Sequence, residues 1–188
     1  FYEDRLFRNH KGVNPGSIVR AGMETLMGSR RMGASTITMQ LARMRLKLRT
    51  NTFEGKIRQI WHALRYETHY SKDEILEAYL NLAPYGGNVE GAGAASRVWF
   101  HKPPSMLSAA EAASLAVIPQ NPVKRRPMAA GNTELDDARI RLGLAMIRAG
   151  ALSERLSEPV RASIEVFEPE NLPMLAPHYS RMVLKKSK

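Results

Sequence analysis

Apolar and polar residues alternate with the period of an α-helix along most of this chain. After Thr52, apolar side chains recur at intervals that place them on one face of a helix. The members of this face are Ile57, Ile60, Trp61 and Leu64. A second set follows Ser71 and comprises Ile75, Leu76, Tyr79 and Leu80. No alternation of period two is long enough to require a sheet, so the pattern predicts an all-α fold.

Residues that cap or break helices mark where the predicted helices begin and end. Ser71 with Glu74, and Ser108 with Glu111, have the spacing of a capping box, in which side chains satisfy backbone amides near the helix start. Pro119 is expected to end the helix that begins after Ser108. Further helices are predicted over residues 17–28 and 134–148, with loops over 11–16, 28–33, 83–93 and 120–132.

The composition bounds the class of protein. A chain of 188 residues, 44% of them hydrophobic, is long enough for one folded domain, which we place at residues 1–168 with a linker at 169–188. The net charge of +10 indicates an anionic partner: nucleic acid, an anionic membrane surface or a phosphate-bearing substrate. There is no cysteine, and no apolar run approaches the ~20 residues of a membrane-spanning helix.

One short stretch is rich in groups that bind polar ligands. Residues 33–40, Gly-Ala-Ser-Thr-Ile-Thr-Met-Gln, carry hydroxyls and an amide behind a glycine, so a ligand can approach the backbone closely. Cations follow directly, at Arg43, Arg45, Lys47 and Arg49. The carboxylates of Glu3 and Asp4 lie about thirty residues upstream. An acid, a polar cradle and a cationic patch suit the transfer of a sugar or acyl group from a phosphate.

Taken in order, these stretches resemble the motifs of the family 51 peptidoglycan glycosyltransferases. The first motif is Glu-Asp-x-x-Phe-x-x-His-x-Gly at residues 3–12, and the second is the stretch at 33–40. Later segments at 55–59, 70–81, 91–95 and 111–120 follow in the family's order. The resemblance covers residues 1–125 firmly and implies a lysozyme-like, all-α glycosyltransferase domain.

The resemblance implies an inverting enzyme that polymerises lipid II into β-1,4-linked glycan strands and releases undecaprenyl diphosphate. Its expected partners are lipid II, the growing glycan chain and the membrane surface, without nucleic acid. The expected location is the periplasmic face of a bacterial inner membrane, with a membrane anchor and a fused transpeptidase domain in the full-length protein. No cofactor is expected to be obligatory, and Mg²⁺ or Mn²⁺ is an optional partner of the diphosphate.

Glu3 is the expected general base. Glycosidic bond formation requires removal of a proton from the attacking hydroxyl, and a carboxylate within reach contributes ~10²–10⁴-fold in rate. By resemblance, Asp4 holds structure or orients its neighbours, and His10 orients groups along the site. The alternative for the two carboxylates is stabilisation of a helix dipole, and for His10 a structural hydrogen bond.

The other candidate residues are expected to bind the sugar and the diphosphate. Ser35, Thr36 and Gln40 supply hydroxyl and amide groups, although the hydroxyls also suit the start of a helix. Cations at family positions would stabilise the charge that develops on the leaving diphosphate, and a solvated surface is their alternative. These cations are Arg20, Arg43 and Lys56.

Gln59 departs from the family's pattern. The third motif usually ends in a second glutamate, and an amide neither transfers a proton nor carries a charge. The departure leaves Glu3 as the predicted base. It assigns Gln59 a hydrogen-bonding role toward the substrate or a neighbouring acceptor.

Two other functions fit parts of the pattern. A lytic transglycosylase or muramidase shares the lysozyme-like fold and a catalytic glutamate but cleaves glycan. The cations after Gln40 favour a diphosphate substrate instead. A non-catalytic basic module for nucleic acid would fit the net charge and would bind with steep salt dependence, yet no recognised nucleic-acid motif is present.

Overall fold

The computed structural model describes residues 2–14, 16 and 35–167. Its α-helices are α1 (Ile37–Arg45), α2 (Phe53–His69), α3 (Lys72–Leu82), α4 (Ala92–Phe100), α5 (Ala109–Val117), α6 (Thr133–Arg148) and α7 (Ser157–Arg161). Within this described part, strand pairing is limited to one isolated bridge between Pro84 and Glu90. The predicted all-α fold is therefore confirmed.

The predicted caps are present. Thr52 begins α2 by accepting a hydrogen bond from the Gly55 amide. Both capping boxes form, one at the start of α3 and the other at the start of α5. The helix predicted at 134–148 is α6, capped by Asn132. The predicted helix at 17–28, the loop at 28–33 and the linker at 169–188 lie outside the described residues.

Three helices were not singled out from the sequence: α1, α4 and α7. The start of α4 lacks a capping side chain, because Gly91 precedes it with φ of 88°. Its glycines are typical of a loop, yet its last turn inserts Trp99 and Phe100 into the core, where each is at most 1% exposed. Burial of such side chains, at about 1.5–3 kcal/mol each, outweighs the weak local preference for a helix.

The core lies between α3, α4, α5 and α6. Its largest fully buried members include Trp99, Tyr85, Phe100, Ile75, Ile118 and Leu135. The Trp99 indole donates a hydrogen bond to the carbonyl of Tyr85, so the polar atom of this buried ring is satisfied. None of the described helices combines the length and the apolar character that crossing a bilayer requires.

The apolar face predicted for α2 forms, but it does not face the core. Ile57, Trp61 and Leu64 on this face are 50%, 52% and 45% exposed. The buried residues of α2 are instead Gly55, Gln59 and Ala63. Small or polar residues on this side let neighbouring backbone come close, so α2 turns its polar, less bulky face inward.

Gly12 shows how close that approach is. It has φ of 78°, and a Cβ atom added there would lie 2.7 Å from the carbonyl oxygen of Ala63 and 2.8 Å from Cγ of Glu67. A side chain at this position would therefore clash with α2 in addition to straining the backbone. Glycine is required for the N-terminal segment to lie against α2.

Candidate active site

The candidate site forms where the N-terminal segment, the start of α1 and one face of α2 meet. Thr36 joins two of these parts, because its hydroxyl donates to the carbonyl of Gly12 at 2.6 Å and accepts from the amide of Met39 at 3.1 Å. The structure thus places Thr36 at the cap of α1. Both hydrogen bonds are internal, and the side chain is buried.

Glu3 has one oriented oxygen and one oxygen without a partner. The Nε2 atom of Gln40 donates to Oε2 at 2.9 Å. The Oε1 atom is buried and has no hydrogen-bond partner among the described residues. Since Gln40 lies on α1, the helix fixes the carboxylate while leaving one oxygen available to accept a proton.

Tyr79, on α3, was predicted only as part of an apolar helix face, yet its hydroxyl is close enough to Glu3 to interact electrostatically. This hydroxyl is buried and has no partner in the described part of the chain. Burial, followed by the charge of Glu3, raises the pKa of Tyr79 well above its ordinary value. The phenol therefore stays protonated and keeps a proton to donate beside the carboxylate.

Asp4 and His10 form a buried pair behind Glu3. The Nε2 atom of His10 donates to Asp4, with a distance of 2.9 Å to Oδ2, and the amide of Ile37 donates to the same oxygen at 3.1 Å. Both side chains are at most 9% exposed. In this geometry Asp4 anchors the start of α1 to the N-terminal segment.

Lys56 lies on the other side of the site, held by two neutral groups. Its Nζ atom donates to the hydroxyl of Ser35 at 2.8 Å and to Oε1 of Gln59 at 2.9 Å. Burial, and then the charge of Arg43, lower the pKa of Lys56 below its ordinary value. The amide nitrogen of Gln59 donates to the carbonyl of Met39 at 2.7 Å, so this side chain also joins α2 to α1.

Arg43 connects the two sides of the site. It is exposed on α1, one turn beyond Gln40. After burial, its charge is the second cause that lowers the pKa of Lys56, and it partly opposes the rise of the Tyr79 pKa that burial and Glu3 produce. Glu3 is tied to α1 through Gln40, and Lys56 is tied to α1 through Gln59 and the carbonyl of Met39; the region along α1 between these two charges is called the cleft. Arg20, the remaining predicted cation, lies outside the described residues.

A second buried network supports the site from behind and was not predicted. Lys72 donates to Glu67 at 2.8 Å and also to the carbonyl of His10. The hydroxyl of Thr38 donates to Glu67 at 2.6 Å. These bonds join α1, α2, α3 and the N-terminal segment. The signal in the sequence was the pair of opposite charges at 67 and 72, across the turn between two helices.

The described residues of the cleft do not fit a protein-bound divalent cation. Within the described ranges, no group of three or more His, Asp or Glu side chains is arranged to hold a metal ion. Mg²⁺ prefers carboxylate and other oxygen ligands, whereas this side of the cleft presents Lys56 and Arg43. The oxygen of Gln59, where the family usually has a carboxylate, already accepts from Lys56.

Comparison with known proteins identifies related chains. A family model described as Transglycosylase matches residues 1–146. The chain is 46% identical to penicillin-binding protein 1C of Escherichia coli over 188 residues, which is 100% of this chain and 24% of that protein. It is 36% identical to penicillin-binding protein 1A of Pseudomonas aeruginosa over 181 residues, which is 93% of this chain and 22% of that protein.

The chain thus spans about a quarter of the length of these two relatives. The third motif ends here in Lys-Ile-Arg-Gln at 56–59, and Ala-Pro-Tyr-Gly-Gly follows at 83–87. These two features indicate a resemblance to penicillin-binding protein 1C in particular, and the comparison over the whole chain confirms it.

Proposed function

Because this chain belongs to the transglycosylase family and is a glycosyltransferase, we propose that it polymerises lipid II into β-1,4-linked glycan strands and releases undecaprenyl diphosphate. One observation carries the proposal. The Glu3 carboxylate has one oxygen held by Gln40 and one buried oxygen without a described partner, at the edge of a cleft with cations on its other side.

In the proposed reaction, Glu3 acts as the general base. Its Oε1 atom accepts the proton of the 4-hydroxyl on the acceptor's N-acetylglucosamine, while Gln40 keeps the carboxylate oriented. A base positioned in this way contributes ~10²–10⁴-fold in rate. The buried Tyr79 hydroxyl, which has no described hydrogen-bond partner, stays protonated within electrostatic range of this carboxylate.

The deprotonated oxygen attacks the anomeric carbon of N-acetylmuramic acid at the reducing end of the growing chain. A bond forms from that oxygen to the anomeric carbon, and the bond from this carbon to the diphosphate breaks on the opposite face. The electron pair leaves with undecaprenyl diphosphate, and the α linkage inverts to β. Lys56 and Arg43 stabilise the charge on the departing diphosphate, where it is larger than in the ground state.

No step requires a metal ion held by the protein, and we propose that any Mg²⁺ or Mn²⁺ is brought by the diphosphate itself. The proposed place of action is the periplasmic face of a bacterial inner membrane. A lipid-linked substrate is presented there at the membrane surface, and a fused transpeptidase domain would use the glycan product.

The test is to incubate the chain with labelled lipid II in detergent and to separate the products on a gel. Wild type is expected to form polymer, Glu3→Gln is expected to form none, and Glu158→Gln serves as the control because Glu158 is exposed on α7. Labelled fragments released from purified sacculi, with no polymer from lipid II, would overturn the proposal in favour of a glycan-cleaving enzyme.

A further inference from the structure

Lys56 differs from other buried or half-buried lysines of this structure in the kind of group that holds it. Lys72 donates to the carboxylate of Glu67, and Lys102 donates to the carboxylate of Glu111, each at 2.8 Å. Lys56 donates to the hydroxyl of Ser35 and to the amide oxygen of Gln59. Both of its described partners are neutral, so its positive charge is not offset by them.

The surroundings of Gln59 suit an amide better than a carboxylate, because they use both a donor and an acceptor on its side chain. The side chain is 1% exposed, its oxygen accepts from Lys56, and its nitrogen donates to the carbonyl of Met39. A carboxylate has no proton to give to that carbonyl, so glutamate would place two acceptors 2.7 Å apart or would have to turn away. Turned toward Lys56, it would form an ion pair and offset the charge.

We propose that Gln59 is a positioning residue that holds the Lys56 ammonium in the cleft without neutralising it. The bond to the Met39 carbonyl fixes the amide to α1, and the amide oxygen then sets where the Lys56 ammonium lies relative to Arg43 on that helix. Gln59 touches no reacting atom in this arrangement and acts through Lys56. The inference rests on the proposed function in one respect, namely that the anion met by Lys56 is a diphosphate.

Electrostatic surroundings support this assignment. The charged group that acts on Lys56 from α1 is Arg43, which is a like charge. On α2 itself, Arg58 and Glu54 are exposed and pair with each other at 3.8 Å. Lys56 is thus a cation beside a second cation, and an anionic ligand between them relieves their repulsion. A glutamate at 59 would supply that relief within the protein and remove part of the attraction for substrate.

The experiment measures Lys56 directly, without turnover. Lysine side-chain signals are followed by NMR against pH in wild type, Gln59→Glu and Gln59→Met, with Lys56→Arg identifying the signal. Binding of inorganic diphosphate is measured in parallel by calorimetry. We expect the pKa of Lys56 to be below its ordinary value in wild type and to rise in Gln59→Glu. Diphosphate affinity at neutral pH should fall about tenfold in that variant.

The matched control is Gln120→Glu, because Gln120 also holds a cation through its amide oxygen, accepting from Arg125 at 2.8 Å. The Gln120→Glu variant adds the same negative charge beside Arg125 instead of Lys56, so the titration of Lys56 should not change. Gln59→Met keeps the volume and removes both hydrogen bonds, so it should weaken diphosphate binding without raising the pKa of Lys56.

Three results would overturn the inference. They are an ordinary titration of Lys56 in wild type, wild-type diphosphate affinity in both Gln59 variants, and a Lys56 pKa that is equal in wild type and Gln59→Glu. If Gln59→Glu does not fold, the wild-type titration and Gln59→Met decide the matter. If the Lys56 titration and the diphosphate affinities are as expected but wild type forms no polymer from lipid II, the proposed function is contradicted and the inference on Gln59 is not.

Discussion

The cleft and the layer behind α1 hold their charges in different ways. In the cleft, the Glu3 carboxylate is held by the amide of Gln40, and the Lys56 ammonium is held by a hydroxyl and an amide oxygen. Behind α1, the carboxylate of Glu67 is paired with the ammonium of Lys72. Neutral partners orient a charge and leave it to act on a ligand, whereas ionic partners offset it.

This difference separates residues that serve the reaction from residues that serve the fold. Breaking a buried ion pair leaves an uncompensated charge and costs stability. Removing a charge that only neutral groups hold leaves satisfiable polar groups behind and costs little stability. The division therefore predicts which substitutions remove activity with the fold intact, and which remove the fold first.

The largest expected effect is that of Glu3→Gln. Polymerisation should fall by ~10²–10⁴-fold, because the base is lost. The helical circular-dichroism signal should stay, since the hydrogen-bond partner of this carboxylate among the described residues is the neutral Gln40. A variant that keeps more than about a tenth of the wild-type rate would be inconsistent with Glu3 as the base.

Arg43→Ala should have the next largest effect. We expect turnover or lipid II affinity to fall at least about tenfold, because an exposed cation beside Lys56 no longer stabilises the diphosphate. Arg141 on α6 is the matched control, since it is exposed and distant in sequence from every motif. Equal, small losses in both variants would mean that Arg43 is one surface cation among many.

Arg139, on the same helix as Arg141, is not a suitable control. It is 3% exposed and donates to Asp136 and to the carbonyl of Val160. Its replacement would leave the buried carbonyl of Val160 unpaired and so would change stability as well as charge.

Behind α1 the expected loss is of stability. Glu67→Gln should lower the free energy of unfolding by about 2 kcal/mol, because Lys72 loses its buried ionic partner. Chemical denaturation followed by circular dichroism measures this loss, with the exposed Glu158→Gln as the reference. The rate per folded molecule should fall less than in Arg43→Ala. A Glu67→Gln protein that keeps its stability but loses its activity would contradict the assignment of Glu67 to the fold.

The smallest expected effect concerns a paired charge far from the cleft. Burial raises the pKa of Glu111, but hydrogen bonds from Lys102 and Ser108 outweigh it, so the pKa lies below the ordinary value. The stability that this carboxylate contributes is therefore present at neutral pH and is lost as the pH falls through its folded-state pKa. We expect about 1 kcal/mol or less.

Denaturation of wild type and Glu111→Gln at pH 7 and at about pH 3 checks this prediction. The stability difference between the two proteins should be larger at neutral pH than in acid. A difference that grows on acidification would mean that the pairing with Lys102 does not stabilise the ionised form.

The all-α fold and the capped helices could be predicted because their signals are local. A capping box, as at Ser71 and Glu74, lies within one turn of a helix. The outward orientation of the apolar face of α2 could not be predicted, because it depends on what packs against the opposite face. A periodic pattern shows that a helix has an apolar face, but it does not show whether that face packs against the core or lies at the surface.

The candidate site was only partly predictable for the same reason. Motif resemblance indicated Glu3, Gln40 and Lys56; Gln40 holds Glu3, Lys56 is tied to α1 through Gln59, and their roles in the reaction stay predictions. Tyr79 was missed because a tyrosine in an apolar helical series is typical of core packing. The fold brings Tyr79 within electrostatic range of Glu3, although the two residues are 76 positions apart in the sequence.

The close contact at Gly12 has a consequence for anyone who interprets mutational scans of this protein. Because Gly12 has no side chain, the N-terminal segment lies directly against the backbone of Ala63. Any larger residue would lift the whole segment from α2, and Glu3 and Asp4 would move with it. Position 12 would then score like a catalytic position although it carries no functional group, and only the stability of each variant would reveal the difference.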